Sequence, residues 1–496
     1  MVRITSSWCN CLLRIALPLL LGLQLQLVSS VAQAKDDKAP QVIIVGGGMA
    51  GLITAYELQN AGVTSHVLEA NDYWGGRLAT IDYGNGLKAE YGMHEVWARD
   101  PLTEYVKKFN IPMSTPEEPY SSAIIDGKYY PYVQDNAEKY LATLFTADEK
   151  AGYDRWLKEC ESLYDEAEAK GLTPRLLELQ KISFATWVGK FAVTPKVEEF
   201  IRMGLECEIA IDWDSVSAVY GIMQSRIFLH GTEQCFHAKG GNRKIIDAFV
   251  KAIKGPMTLG ARVVRIVHSQ NPDGSTTATI YYIKDSVMRT ITAPKVVVAT
   301  QHEMLHAIQM EPSLTDQQWQ AVDSLVAGLY TVVHLIMSTD ANKFLLADAD
   351  HHPFAEGRIP FPIISRGPLG VVYGFLEKPP AAQKEEIFSV LIHGDYTRTY
   401  LQPYDKVREK ILGELNKIWP DFSKYVHAAY FYGYHPVATP AWPVGRSPLD
   451  DLHASLRQEN AGLYLVGDYI FSSHAEGAVR SGREVAKKIA AALVKK

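Results

Sequence analysis

At 496 residues, with 47% hydrophobic and 21% charged side chains, the chain is too long for one small core and too apolar to be disordered, which points to two closely connected globular domains. A formal net charge of −6 without a long basic run argues against nucleic acid as a partner and leaves a small molecule as the expected one. Cys9 and Cys11 lie in the N-terminal segment; Cys160, Cys207 and Cys235 remain, an odd set without CxxC spacing, so three separate buried thiols are expected rather than a disulfide framework.

Residues 1–34 carry only Arg3 and Arg14 as charges, are rich in leucine between Ile15 and Val28, and end in Ala32-Gln33-Ala34 before the polar KDDKAP. This reads as a secretory signal cleaved after Ala34, placing the protein in a secreted or periplasmic location, although no twin-arginine pair is present. The alternative is an uncleaved membrane anchor, against which Pro18, Gln24 and Gln26 interrupt a short segment. No stable membrane span is expected after cleavage.

Residues 41–80 then read as strand, glycine turn, helix, strand and a second glycine turn. Gln41 to Val45 is a short apolar run; Gly46, Gly48 and Gly51 form GxGxxG; Leu52 to Leu58 has helical apolar spacing; His66 to Glu69 is a second strand ending on an acid. Gly46 permits the tight turn, Gly48 lets the backbone approach a pyrophosphate, and Gly51 lets the helix pack on the sheet, while the helix N-terminus favours an anion. Glu69 lies 18 residues after Gly51, close to the roughly 20 expected of an acid that accepts ribose hydroxyls. An acid there also argues against a 2′-phosphate, and so against NADP.

Further on, Thr146 to Lys170 is predicted helical, with Tyr153, Trp156, Leu157, Cys160, Leu163 and Tyr164 on one face. Ile182 to Phe191 and Pro195 to Ile209 continue as helices, so residues 100–230 contain a helical insertion able to roof a pocket. Gly240-Gly241 precedes an apolar helix ending near Phe249. From Arg262 the period changes to two: RVVRIVHS, a turn at 271–274, TTATIYYIK, and KVVVAT at 295–300 as the third strand of a β-meander. Gly328 to Ser338 reads as a buried strand. Near the end, Leu463 to Val466 is a strand, Gly467-Asp468 a turn, and Gly477 onward an amphipathic helix capped by Ser473 or Glu476.

Together GGGMAGL at 46–52, LEANDYWGGRLAT at 68–80, EYGMHEVW at 90–97, KGGNRKIIDAF at 239–249 and GLYLVGDYIFSSHAEGAVRSG at 462–482 resemble, in order and over essentially the whole mature chain, the flavin-containing amine oxidase superfamily. That family includes monoamine, polyamine and L-amino-acid oxidases, protoporphyrinogen oxidase and carotenoid desaturases. The implied fold class is α/β, or α+β overall: a Rossmann-like FAD-binding domain from residues 39–98, 233–302 and 445–496, interleaved with a substrate domain of mixed sheet and helices from 99–232 and 303–444, with a helical insertion near 146–210. The resemblance places Gly46, Gly48, Gly51 and Glu69 at the ADP half of FAD, Gly76 and Arg77 at the pyrophosphate, Val263 at the adenine, Gly467 and Asp468 near the ribityl phosphate, and Gly92 in the loop passing the isoalloxazine. Backbone amides at Glu476, Gly477 and Ala478 would face flavin N1–C2=O, where a helix N-terminus stabilises the negative charge of the reduced ring.

The departures from that family carry information of their own. Many amine oxidases hold a water at N5 with a lysine and sandwich the amine between two aromatic side chains. Here His334 takes the lysine's place on the 328–338 strand, and Phe471 and His474 take the aromatic places, so these three are the expected catalytic residues. A histidine, with an unperturbed pKa of about 6.5, is able to hold water or move a proton. His94 and Trp442 are the expected substrate contacts, Trp442 lying in a proline-rich approach (434–452) like that of desaturase-type members.

The resulting expectation is an FAD-dependent oxidoreductase that moves a hydride from the C–H of an amine or amino-acid-derived C–N bond to flavin N5, with oxygen or a redox protein as acceptor. Alternatives are C–C desaturation or isomerisation of a polyene-like or tetrapyrrole substrate, and a non-catalytic binding module of the same fold. No metal is expected: His351-His352 beside Asp348 and Asp350 lacks ligand spacing. A cysteinyl flavin link at the C-terminal motif is excluded by composition.

Overall fold

The computed structural model describes residues 32–33, 39–114, 121–132, 137–231, 233–341, 362–374, 382–394, 396–397 and 403–494. Most of residues 1–34, expected to be an export signal, and His351-His352 lie outside the described residues.

The strand Val42–Val45 (VIIV) is buried on both faces and pairs in parallel with Ser65–Leu68 on one side and Lys295–Val298 on the other. Continuous apolar character is what a central parallel strand requires, since helices cover both of its faces. Met257–Thr258 and Leu463–Leu465 extend the sheet at its two edges. Five segments spread from residue 42 to 465 thus make one parallel sheet. Helix Met49–Asn60 follows the first strand directly, and the C-terminal helix Ala475–Val494 packs against it.

One strand assignment is corrected. The β-meander is Arg262–Gln270, Thr276–Lys284 and Val287–Ala293, whereas Lys295–Val298 belongs to the parallel sheet. The hairpin that makes the difference turns at Asp285 and Ser286, both with positive φ (52° and 61°), the geometry of a two-residue turn that glycine usually marks. Without glycine there, the sequence shows no break between the second and third strands. Ala32–Gln33 pairs with Arg289–Thr290 at the edge of this sheet.

The third sheet is antiparallel in its centre, where Val326–Ser338 lies between Glu385–His393 and Val426–Ala441. Val333, Leu335 and Met337 share a core with Val407, Ile411 and Leu415 of helix Tyr404–Ile418. The alternate residues point the other way: Ile336 packs with Leu87, Ala89 and Ile387, and His334 lies between Val332 and Ile336 on that same face. The helical insertion stands beyond this sheet. Its longest member, Ala147–Lys170, starts at a capping box between Thr146 and Glu149 and buries Tyr153, Trp156, Cys160, Leu163 and Ala167, a stripe at alternating spacings of three and four. Cys160, Cys207 and Cys235 are free and buried. No helix among the described residues is long and apolar enough to cross a membrane.

Thr146→Ala removes the acceptor for the Glu149 amide and is expected to cost about 1 kcal/mol in urea unfolding, with FAD content unchanged.

Candidate functional site

The strand ends of the parallel sheet gather the glycine turns. Helix Met49–Asn60 starts at Gly48 with no side-chain cap and no acidic residue in its first turn, so the leading amides form an uncompensated anion seat. A Cβ at Gly51 would stand 2.0 Å from the Gly46 carbonyl oxygen, so the helix approaches the turn as closely as it does only because residue 51 has no side chain. Glu69 is buried; its two carboxylate oxygens accept the Gly47 and Asn71 amides, each at 2.7 Å. Each oxygen keeps a further lone pair for a ribose hydroxyl. Ala261 donates its amide to the Glu69 carbonyl at 2.7 Å, which brings the buried Val263 alongside.

Beyond this cradle, the turn at Gly75-Gly76 docks on the fingerprint through Gly75 N–H donating to Gly47 O at 2.9 Å. Arg77 follows, and its guanidinium grips both carboxylate oxygens of Asp468 (2.6 and 2.7 Å) while donating to Ala438 O at 2.8 Å. Asp468 is buried beside Gly467, whose amide donates to Ser481 Oγ at 3.0 Å. Gly92 passes so close to this segment that a Cβ there would lie 1.7 Å from Arg77 O. These features suit FAD: an anion seat, a ribose acid, and a loop whose glycine lets it lie directly against the Arg77 backbone.

Two histidines lie beside these segments. His94 donates from Nδ1 to Gly92 O at 2.8 Å and stacks on Tyr373 with ring centroids 4.1 Å apart. Its Nε2 is buried without a hydrogen-bond partner, and burial pulls its pKa down to about 3, so that nitrogen is a lone-pair acceptor. The half-buried His474 precedes the C-terminal helix, whose Gly477 and Ala478 amides bond back to His474 O, leaving the amides of Ala475 and Glu476 ahead of the ladder. Burial first, then Arg226 and Arg77, hold the His474 pKa at about 4. Glu476 accepts from Ser472 Oγ at 2.9 Å, and Ala478 is buried.

Three expected site residues are placed elsewhere by the structure. His334 is fully buried with both ring nitrogens engaged, Nε2 donating to Glu90 O at 2.9 Å and Nδ1 accepting from Tyr83 Oη at 2.7 Å, so it braces the strand against the Thr80–Glu90 hairpin and has no nitrogen left for water. Phe471 is clamped between Arg457 and Arg480, whose guanidinium carbons sit 4.5 and 4.2 Å from the ring centroid. It therefore has no open ring face for an amine. Trp442 has no exposed surface, donates Nε1–H to His453 Nδ1 at 3.1 Å and packs on Tyr220, which makes it a core anchor rather than a tunnel wall. Conversely, Tyr373, Glu95 and Arg226 stand beside the two flanking histidines. Nothing in their local sequence distinguishes them from surface residues. The Tyr373 hydroxyl bonds Glu95 Oε1 at 3.2 Å.

Residues 49–490 match the family described as flavin containing amine oxidoreductase. An L-amino-acid oxidase of Bothrops moojeni is 26% identical over 326 residues, 63% of this chain and 61% of that protein. A 15-cis-phytoene desaturase of Glycine max is 24% identical over 507 residues, 92% of this chain and 80% of its own length. Among solved structures, the cyclohexylamine oxidase from Brevibacterium oxydans superposes with a TM-score of 0.74 at 20% identity, covering 92% of this chain and 100% of that one, and so shares the fold. The chain spans about three fifths of the length of the L-amino-acid oxidases it matches.

Asp468→Asn leaves the Arg77 cation without its carboxylate. It is expected to cost about 2 to 3 kcal/mol, below the loss typical of fully buried pairs because Arg77 keeps partial exposure. Urea unfolding and the FAD retained after gel filtration measure the effect.

Proposed function

The chain belongs to the flavin-containing amine oxidoreductase family, and from that premise we propose that it oxidises the C–N bond of an amine or amino acid, with oxygen as electron acceptor. Its cofactor is FAD, which when bound takes up the hydride released from a substrate C–H. The residues that would hold it are Gly46, Gly48 and the start of helix Met49–Asn60 for the pyrophosphate, with Arg77 and Asp468 beside them. Glu69 and Val263 would take the adenosine half. Gly92 and the amides of Ala475 and Glu476 would take the ring, where the helix terminus favours negative charge, whereas the Gly477 and Ala478 amides expected there already donate to His474 O.

The observation that carries the substrate reading is the polar character of the walls beside that ring: the unpartnered Nε2 of His94, the Tyr373–Glu95 pair, and His474. A neutral amine supplies the donor that His94 Nε2 lacks, whereas a polyene would leave that nitrogen unpaired. His94 and His474 are both kept neutral by burial, so neither adds a positive charge that would repel an amine cation on entry. The length of the phytoene desaturase alignment is the observation favouring the second reading, C–C desaturation of an apolar substrate.

Anaerobic mixing of the purified yellow protein with a panel of amines, amino acids and polyenes separates the two readings. Bleaching of the flavin by an amine or amino acid, followed by rapid return of colour in air, is expected. Bleaching by polyenes alone would replace this reading with the second, and slow recovery in air would replace oxygen with a redox protein.

We propose in addition that residues 1–34 direct export and are removed. The intact mass of the exported protein is then that of a chain beginning at Lys35; a full-length mass would refute this.

A further inference from the structure

The segment from Glu90 to His94 carries Gly92, which lies directly against the Arg77 backbone. Its carbonyls are taken by side chains rather than by neighbouring backbone. His334 Nε2–H donates to Glu90 O at 2.9 Å, and His94 Nδ1–H donates to Gly92 O at 2.8 Å. The Asn242 side-chain NH2 donates to both Met93 O and His94 O, at 3.0 and 2.9 Å. These donors belong to the interior: His334 and Asn242 have no exposed surface and His94 has very little. The carbonyl edge of the segment is therefore drawn inward. On its other edge, the Tyr91 and Met93 amides donate to Ala79 O and Arg77 O at 2.8 and 3.1 Å, while those of Gly92 and His94 have no partner among the described residues.

Asn242 is the hub of this arrangement. Its own N–H donates to Glu90 Oε1 at 2.6 Å, and its Oδ1 accepts from the Ala238 amide at 2.8 Å. That last contact settles which end of the side chain is oxygen and leaves the NH2 for the two carbonyls. The other Glu90 oxygen accepts from Thr80 Oγ1 at 2.8 Å, and the same hydroxyl accepts from the Arg243 amide at 3.0 Å. Glu90 is fully buried, so it ties the start of helix Arg243–Ala252, next to Asn242, to the hairpin that leads into the Gly92 segment. A buried asparagine is tolerated when each of its polar groups is paired, and both hydrogens and the oxygen of Asn242 are.

Resting on the FAD placement given under the proposed function, we propose that Asn242 is a positioning residue for the flavin ring: by taking the Met93 and His94 carbonyls it leaves the amide edge of the Gly92 segment to meet the ring. The polar rim of that ring carries acceptors at N1, O2, O4 and N5 and gains negative charge on reduction. Amides already held in place stabilise such charge without reorganising, whereas carbonyl oxygens in the same place would oppose it. The segment thus adds fixed donors to those of Ala475 and Glu476 at the start of the C-terminal helix, and both favour the reduced form. His334 acts through the same backbone by holding the Glu90 carbonyl.

The reduction potential of the bound FAD, measured by dye equilibration with FAD content determined alongside, is the test. Asn242→Leu keeps the side-chain volume, adds no charge and removes both donations. It is expected to weaken binding of reduced relative to oxidised FAD about tenfold or more, a fall of about 30 mV for a two-electron couple. His334→Leu should shift the potential in the same direction by less. Asn416→Leu is the control: Asn416 accepts the Ser423 amide at 2.9 Å and donates to Ser423 Oγ at 3.0 Å, but it belongs to helix Tyr404–Ile418. Its loss should lower stability in urea and leave the potential unchanged. An unchanged potential in Asn242→Leu protein that retains FAD, or an equal fall in Asn416→Leu, overturns the proposal. If Asn242→Leu does not retain FAD, His334→Leu decides, and an unchanged potential there overturns it. Wild-type protein that takes up no FAD on reconstitution refutes instead the cofactor placement on which the proposal rests, and that failure is visible before any variant is made.

Discussion

One guanidinium joins the two sheets that make this molecule a site. Arg77 leaves the turn after the second parallel strand and closes a two-point grip on Asp468, which follows the last strand of the same sheet 391 residues later. Its remaining reach goes to Ala438 O, on the long edge strand of the other sheet. A planar fork with fixed donor directions transmits orientation as well as charge, which a lysine at 77 would not do. The grip therefore fixes where the Gly467-Asp468 turn sits relative to the glycine fingerprint, and with it the start of the C-terminal helix. Parallel strands deliver all their C-terminal ends to one side, so a single well-aimed pair is enough to register segments from opposite ends of the chain.

Around that pair the interior imposes neutrality. Burial lowers His94, His302 and His474 to about 3 to 4 and raises Glu90, Glu208 and Glu303 to about 7. Histidines pushed down and carboxyls pushed up have one cause, the cost of holding an isolated charge away from water. Arg77 is the exception: against the pull of burial, the Asp468 carboxylate at hydrogen-bond distance holds the guanidinium pKa above its ordinary value. A substrate entering such an interior meets the same selection against an isolated charge.

Local patterns were readable in the sequence, and contacts between distant segments were not. The fingerprint at 41–69, the 146–170 helix and the 328–338 strand are set by spacing within a few residues, and each is found where the pattern puts it, to within a residue or two. The meander was misread because the turn at Asp285-Ser286 uses positive φ without glycine. His334 was located on the correct strand, but neither strand periodicity nor family position could show that Tyr83 and Glu90 occupy both of its nitrogens. Phe471 and Trp442 fail for a related reason: their partners, Arg457, Arg480, His453 and Tyr220, come from segments whose approach is a tertiary event. Tyr373, which stacks on His94, gave no signal either, since a tyrosine in a short strand looks the same whether it packs in a core or beside a site.

This division between local and tertiary information follows the division of labour in the fold. The FAD cradle is built from backbone, amides and missing side chains, and such demands leave glycines at fixed offsets that can be read one by one. The side chains around His94 come instead from two sources far apart in the chain, Tyr373 of the mixed sheet and Glu95 of a loop of the cradle, joined only by tertiary contact. On the central strand of the mixed sheet His334 is a structural brace, with both ring nitrogens taken by Glu90 O and Tyr83 Oη. The glycine motifs therefore identify the cofactor from sequence alone, while the surroundings of His94 and His334 follow only from contacts between segments far apart in the chain.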